Sequence, residues 1–412
     1  MRVLVVGHGA REHAITKKLA EEAVEIFAVM GKNNPGIRNL SKKAKVVDIN
    51  KLDNYKEFGE MDLAFIGPED PLAHGVSDYL WDLEVPVVGP KRSQAKLEWS
   101  KAYTREILDE YQISGNPDYK ICRNKDDVED FLHIRDEVAV KPDVLTGGKG
   151  VKVSGEHLRN SSEIIDYALK RIETDGLVVL EEKLEGKEFT LQAFTDGKRI
   201  EVMPLVRDFK RAYDGDKGPN TGSMGSFSCP DHGMPDLTSG VVEEGIEIMR
   251  RTIDVTRRIT DSFQGILYGG FMVTQEGVFL LEYNVRFGDP EAINVLSLLE
   301  NPLTEVGFGI AEGNLPKVKF LEEATVCVYL VPQGYPVDPL GGEPIEVGDI
   351  ENSEMFYASV IEKNGEILTT GSRAIALLGK GDTVKTARDK VYGDITKISG
   401  KLHYRKDIAK DI

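Results

Sequence analysis

Cysteine is scarce in this chain: 3 of 412 residues, Cys122, Cys229 and Cys327, set far apart. That spacing forms neither a metal knuckle nor a disulfide framework, so the three read as reduced, buried structural thiols. Histidine is nearly as sparse, with 7 residues and no metal-ligand spacing, and reads as structural or solvated. No Ser-His or Cys-His constellation marks a nucleophilic catalyst. Basic charge is in deficit: 52 Lys and Arg face 69 Asp and Glu, a net charge of −17. A phosphate backbone needs a basic face, so general nucleic-acid binding is excluded. A few local lysines and backbone N–H groups can still hold a small anion. No apolar run approaches the ~20 residues of a membrane helix. The opening MRVLVVGHG reads as a short strand entering a glycine turn, not as a secretory leader. A cytoplasmic location without membrane contact is expected. Internal repeats and low-complexity tails are also missing.

What is present describes an ordinary globular protein, 41% hydrophobic and 29% charged. Its length implies roughly two to four domains. Up to about residue 100, strand and helix signals alternate: strands at Arg2–Val6, Glu25–Met30, Leu63–Ile66 and 85–88, and a helix over 12–23. Such alternation predicts a parallel, doubly wound α/β sheet. Ligands in that fold sit at the carboxyl ends of strands, where GHGAREHA (7–14) and GPEDPL (67–72) fall. Ser100 is placed to cap a helix over 100–111. Residues 119–190 read as a small α/β segment, with strands at 139–141, 151–153 and 178–180 around TGGKG. Strands return at 189–194 and 201–206. The run 207–228 then reads as one long functional loop. A helix over 239–260 and strands at 269–273 and 278–283 follow, and the part from about 323 reads as a separate strand-rich domain.

The stretch LEYNVRFGDPEA, 281–292, carries the most chemistry. Glu282 and Asn284 are two apart, so on a strand both point to one face. A carboxylate and an amide oxygen suit Mg²⁺ that shares its shell with phosphates. Arg286 adds a cationic fork for phosphate or carboxylate. The plainer alternative is a strand end closed by a turn at Gly288-Asp289-Pro290. GHGAREHA begins like a dinucleotide fingerprint, but its third position is Glu12, not Gly, and no acid closes the second strand. NAD is therefore disfavoured, while a phosphate at the Gly7–Gly9 turn, or a turn with no ligand, remains. In KPDVLTGGKGV (141–151), Gly147, Gly148 and Gly150 can cover phosphates with Lys141 and Lys149, or form a solvated hairpin. It is no Walker loop. VVLEEKLEGKEF supplies Glu181, Glu182 and Glu188, in isolation an acidic turn. GPNTGSMGSFS can wrap a small polar ligand, and Met224 and Phe227 set it apart from a disordered linker.

Taken in order, GxGxREHA, GPExPL, SKAY, KPDxxxGGKGV, EExLxGxE, RDxKR, GPNTGxMG and ExNxRFGDPE resemble the phosphoribosylamine–glycine ligase family (glycinamide ribonucleotide synthetases) of the ATP-grasp superfamily. The resemblance is close over about residues 1–300 and looser beyond. It implies an N-terminal doubly wound substrate-binding domain (1–100), an ATP-grasp body (101–119 and 191–322), a small mobile lobe (120–190) and a C-terminal domain (323–412). It implies ATP-dependent joining of glycine to 5-phosphoribosylamine through glycyl phosphate, the second step of purine biosynthesis. Carried over position by position, Lys101, Lys141 and Gly147 to Gly150 would hold ATP phosphates, Glu181 and Leu184 the adenine hinge, and Glu188 the ribose. Glu282 and Asn284 would hold Mg²⁺ or Mn²⁺. Asp208, Lys210 and Arg286 would be catalytic, with Asn220, Thr221, Asp289 and Glu291 on the amino-acid side. Gly7, Gly9 and Glu69 would face the phosphoribosyl substrate. The implied partners are small molecules, and a monomer or transient contact with other purine-pathway enzymes are both compatible. Three departures stand out: GKNNPG for the usual PGNAG, KPDV for KADG, and DFKR for DHKR, with Phe209 in place of His. Rival readings are a sister ATP-grasp ligase for another acid or amine, and a nucleotide-binding regulator without catalysis.

Overall fold

The computed structural model describes residues 1–145 and 150–412. Its N-terminal sheet is five-stranded and parallel, in the order Lys43–Val46, Glu25–Met30, Arg2–Val6, Leu63–Ile66, Val87–Val88. Three strands keep the bounds expected from sequence, and the last is shorter. The charged edge strand KAKV carries no apolar signal, because its side chains are exposed or half-buried. Strand order reverses between Arg2–Val6 and Leu63–Ile66, which makes the loops after them the ligand end of the sheet. Those loops hold Gly7–Gly9 and Gly67–Glu69.

Glu12 explains why this turn departs from a dinucleotide pattern. It sits in the first turn of helix Ala10–Ala20, buried, and its Oε2 accepts the Gly9 N–H at 2.5 Å. A Cβ on Gly67 would lie 2.1 Å from Glu12 Oε1, and one on Gly7, at φ +122°, 2.5 Å from Glu12 Cγ. Both glycines therefore make room for one carboxylate.

The small lobe is an antiparallel sheet ordered Tyr119–Cys122, Val178–Glu182, Val138–Pro142, Lys152–Val153, covered by helices Lys125–Leu132 and Ser161–Asp175. It closes its own apolar core, with Cys122, Val140, Ile164 and Leu180 buried together. The body is a second antiparallel sheet, Ile200–Val202, Lys187–Thr195, Gly265–Thr274, Gly277–Asn284, backed by the long helix Ser239–Ile259. That helix buries one stripe (Gly245, Ile248, Met249, Thr252, Ile253, Thr256).

The run 207–228 is not one loop. It folds into strands Arg207–Asp208, Arg211–Tyr213, Lys217–Asn220 and Gly225–Ser228. None is long enough to show alternation, and each depends on pairing. Gly225–Ser228 pairs with Ala324–Pro332, about a hundred residues away in sequence. The resulting sheet runs Arg207–Asp208, Gly225–Ser228, Ala324–Pro332, Ile375–Gly381, Glu354–Tyr357. It therefore crosses the boundary expected near residue 323. All three cysteines are free and buried. Among the described residues no helix is long and apolar enough to cross a membrane.

Candidate active site

Glu282 and Asn284 lie on strand Gly277–Asn284 as expected, with buried Tyr283 between them on the opposite face. The exposed Glu282 carboxylate is open to a ligand. Asn284 Oδ1 accepts from Arg286 Nη2 at 3.0 Å, which fixes the amide oxygen in place. Arg286 is itself largely committed. Its Nε donates to Glu69 Oε2 at 3.1 Å, Nη2 reaches Glu98 Oε1 at 2.9 Å, and Nη1 donates to the Phe287 carbonyl at 3.3 Å. Arg286, expected among the catalytic residues, is held by these contacts and in turn orients Asn284. Glu98 also accepts the Val285 N–H at 2.8 Å. Burial pushes its carboxyl up to about 7 despite Arg286. Burial acts on Glu69 too, but Arg286 and Arg11 outweigh it and hold the carboxyl at about 2. Glu69, beside the loop after Leu63–Ile66, is therefore linked to Asn284 on strand Gly277–Asn284 through one guanidinium.

A second charge group lies across the cleft. Lys141, buried on Val138–Pro142, pairs with Glu181 Oε2 at 2.7 Å and donates to the Leu281 carbonyl at 2.9 Å. Arg105 grips the same carboxylate through Nε at 2.7 Å and Nη2 at 2.9 Å, and Nη2 also donates to Leu281 at 2.9 Å. Burial opposes charge on Glu181, yet the two cations outweigh it and hold its pKa below the usual carboxylate range. Burial lowers the Lys141 pKa against the pull of Glu181. The Glu181 side chain, expected at the adenine hinge, is engaged by these two cations. Both cations also brace Leu281, the residue before Glu282.

Lys101 opens helix Lys101–Glu110, which Ser100 caps through its Oγ as expected. Asp143 of KPDV adds a second cap, accepting the Ala102 N–H at 2.8 Å. Lys101 lines a small cavity with Glu98, Arg105, Glu282 and Tyr283. Leu184 is half-buried just after Val178–Glu182. Exposed Glu188 pairs with Lys210 Nζ at 2.9 Å. Gly150 accepts from the Tyr167 hydroxyl at 2.6 Å through its carbonyl. Gly147, Gly148 and Lys149 lie outside the described residues.

The residues expected on the amino-acid side include a cluster of carboxylates. Glu291 accepts from the Tyr268 hydroxyl at 3.1 Å and is pushed up to about 7, first by burial and then by nearby Asp208. Burial raises Asp208 as well, with Lys210 opposing. Asp289 pairs with Arg373 Nη2 at 3.1 Å and accepts from the Tyr329 hydroxyl. Thr221 is fixed by its N–H and its hydroxyl, both donating to the Lys210 carbonyl at 2.8 Å. Asn220 stays exposed at the end of its strand. Phe209, the departure from His, packs on Phe227 with Arg405 over its ring at 5.1 Å. In GKNNPG, buried Asn34 caps helix Pro35–Leu40 and donates to the Tyr357 carbonyl at 2.9 Å.

Sequence reasoning missed Glu98, Arg105, Tyr268, Tyr329 and Arg373. Arg105 lies four residues past Lys101 on the same helix, a signal that could have found it, whereas Glu98 belongs to the preceding helix Arg92–Trp99. Arg373 carried none, since its contacts come from a fold that joins residues 84 and 151 positions apart.

Among the described residues no three His, Cys, Asp or Glu side chains cluster closely enough to hold a metal. Glu282 and Asn284 are hard oxygen donors on one face, a set that fits a magnesium-like cation completed by phosphate oxygens. Two antiparallel lobes face each other across Lys141 and Glu282, behind a doubly wound domain. This fold and site define an ATP-grasp carboxylate–amine ligase. Residues 99–292 match the family model for the phosphoribosylglycinamide synthetase ATP-grasp (A) domain, 1–98 the N domain and 325–411 the C domain of the same synthetase. Phosphoribosylamine–glycine ligase of Methanosarcina acetivorans is 42% identical over 99% of this chain and 94% of its own. That of Pyrococcus horikoshii is 44% identical over 99% and 94%. The crystal structure of the Thermotoga maritima phosphoribosylamine–glycine ligase superposes with a TM-score of 0.86 at 29% identity, covering 99% of this chain and 100% of that one. The biotin carboxylase domain of Hydrogenobacter thermophilus 2-oxoglutarate carboxylase, solved with MgADP, shares the fold alone, with a TM-score of 0.71 at 15% identity over 98% and 91%. The chain belongs to the phosphoribosylglycinamide synthetase family.

Proposed function

We propose that this chain joins glycine to 5-phosphoribosylamine with cleavage of ATP to ADP and phosphate, and that the residues assembled above divide that work among three walls. The observation that carries the reading is the convergence of Lys101, Lys141, Glu282 and Asn284 on one side and Asp208, Asp289 and Glu291 on the other, with Arg286 reaching Glu69 between them. Lys101 and Lys141 receive the ATP phosphates; Glu181 aims Lys141 and favours its charge against burial, while Arg105 holds Glu181 in place. The glycine-rich segment and Leu184 close over the nucleotide, and Glu188 takes the ribose. Glu282 and Asn284 would hold a divalent cation, Mg²⁺ or Mn²⁺, which would supply neutralisation of the phosphate charge.

A glycine carboxylate oxygen attacks the γ-phosphorus and ADP leaves, giving glycyl phosphate. The amine nitrogen of phosphoribosylamine then attacks the acyl carbon, phosphate leaves and a proton is lost. The protein's part is positioning and exclusion of water more than covalent catalysis. The carboxylate cluster receives the ammonium end of glycine. The Gly7–Gly9 and Gly67–Glu69 loops, at the switch point of the N-terminal sheet, receive the phosphoribosyl group. The division into domains at 1–100, 101–119 with 191–322, 120–190 and 323–412 is part of this reading, supported by the self-contained core of the small lobe.

The test is ADP release from ATP and Mg²⁺ with glycine, with and without phosphoribosylamine generated in place. Release that needs both substrates is the expected result. Release driven by another acid or amine, with none from this pair, would replace the substrate assignment.

A further inference from the structure

Arg373 lies in the C-terminal region, just before strand Ile375–Gly381, yet its guanidinium ends among residues of the amino-acid side. Nη2 pairs with Asp289 Oδ2 at 3.1 Å, and Nη1 donates to the Asp289 carbonyl at 3.0 Å. Nη1 also donates to the carbonyls of Gly222 and Ser223 in the GPNTGSMG segment. The guanidinium lies over the Tyr329 ring, 4.3 Å from its centroid. Tyr329 itself donates to Asp289 by its hydroxyl and, by its N–H, to the Met224 carbonyl at 2.9 Å. The backbone around Arg373 is tied on both sides: the Ser359 N–H donates to its carbonyl at 2.8 Å, and the Ala374 N–H donates to Leu330 at 3.0 Å. Gly222 fits flat against the cation, because a Cβ there would stand 3.3 Å from Arg373 Cζ. One side chain thus joins three stretches that meet only in the fold.

We propose that Arg373 is a positioning residue for the amino-acid substrate, fixing Asp289 and the 222–223 backbone in the arrangement that receives glycine. This rests on the reading of Asp289 as an amino-acid-side residue. Its consequence is that the C-terminal region completes the glycine site. Lysine is no substitute. The acceptors lie in two directions from a planar fork, whereas an ammonium donates from a single nitrogen and cannot stack on Tyr329 in the same way. Loss of the cation also takes from Asp289, beside Glu291, the salt bridge that offsets its charge.

The experiment measures KM for glycine, ATP and phosphoribosylamine in Arg373→Lys and Arg373→Ala, with Asp289→Asn alongside. KM for glycine is expected to rise about tenfold or more in both Arg373 variants, the effect of one lost charge-assisted contact. KM for ATP should stay within about twofold, because the nucleotide wall does not touch Arg373. Guanidinium ion added to Arg373→Ala should restore part of the glycine affinity, which it would not do for a misfolded chain. An unchanged glycine KM in both Arg373 variants, with a raised one in Asp289→Asn, overturns the proposal alone. A glycine KM unchanged in all three variants overturns the reading of Asp289 as well. A uniform rise in all three KM values with no guanidinium rescue reduces Arg373 to a structural residue and also overturns it.

Discussion

Replacing Glu181 by Gln should separate the energetics of the buried charge group from catalysis. The carboxylate is 2% exposed and accepts three short contacts, two from Arg105 at 2.7 and 2.9 Å and one from Lys141 at 2.7 Å. Removing the anion leaves two cations in a dry interior. Breaking a buried pair from one side costs roughly 3–5 kcal/mol, mostly because the partner charge is stranded. Gln keeps one acceptor oxygen for Arg105 but turns an amide against Lys141, so the loss should fall near ~3 kcal/mol, about a hundredfold in the folding constant. Urea unfolding followed by circular dichroism reads this loss, and ATP titration reads the accompanying rise in KM as Lys141 loses its guide. The control is Arg105→Met in the Glu181→Gln background. Taking out one stranded cation should recover at least ~1 kcal/mol, a coupling that a double-mutant cycle isolates. A Glu181→Gln loss below ~1 kcal/mol, or strictly additive losses in the cycle, would refute the view that one carboxylate balances two cations.

Two further outcomes follow from the site. Glu282→Ala should cut turnover by at least about a hundredfold while leaving the unfolding midpoint unchanged, since the side chain is exposed and makes no ion pair among the described residues; near-normal turnover at ordinary Mg²⁺ would sink the metal assignment. Glu291 sits at about 7, through burial first and Asp208 second, so it is neutral below that pH and charged above it. If the carboxylate form receives the ammonium of glycine, KM for glycine should fall as pH rises from about 6 to about 8, and Glu291→Gln should flatten that profile. A KM that climbs over the same range would contradict it.

The parallel N-terminal sheet was legible because fully buried strands such as VLVV and LAFI are continuous apolar runs between glycine turns. The Glu282–Asn284 pair was legible because strand period alone sets two residues on one face. Ser100 announced its cap in the same local way. Each of these depends on neighbours within a few residues. Other features do not. The segment 207–228 looked like loop because strands of two to four residues carry no period; pairing makes them strands, Gly225–Ser228 with Ala324–Pro332, Arg207–Asp208 with Gly225–Ser228, and Arg211–Tyr213 with Lys217–Asn220. The partners that hold Arg286, Glu69 and Glu98 from other elements, left no local signal in the sequence. The sequence by itself determined the fold class, the family and which residue types stand at the site, because those are written in local pattern and motif. Only the tertiary structure decided which charges neutralise one another, that Glu181 pairs with Lys141, and that Arg373 pairs with Asp289. Electrostatic pairing acts through space over a few ångströms, and the chain brings those groups together from as far as 217 residues apart.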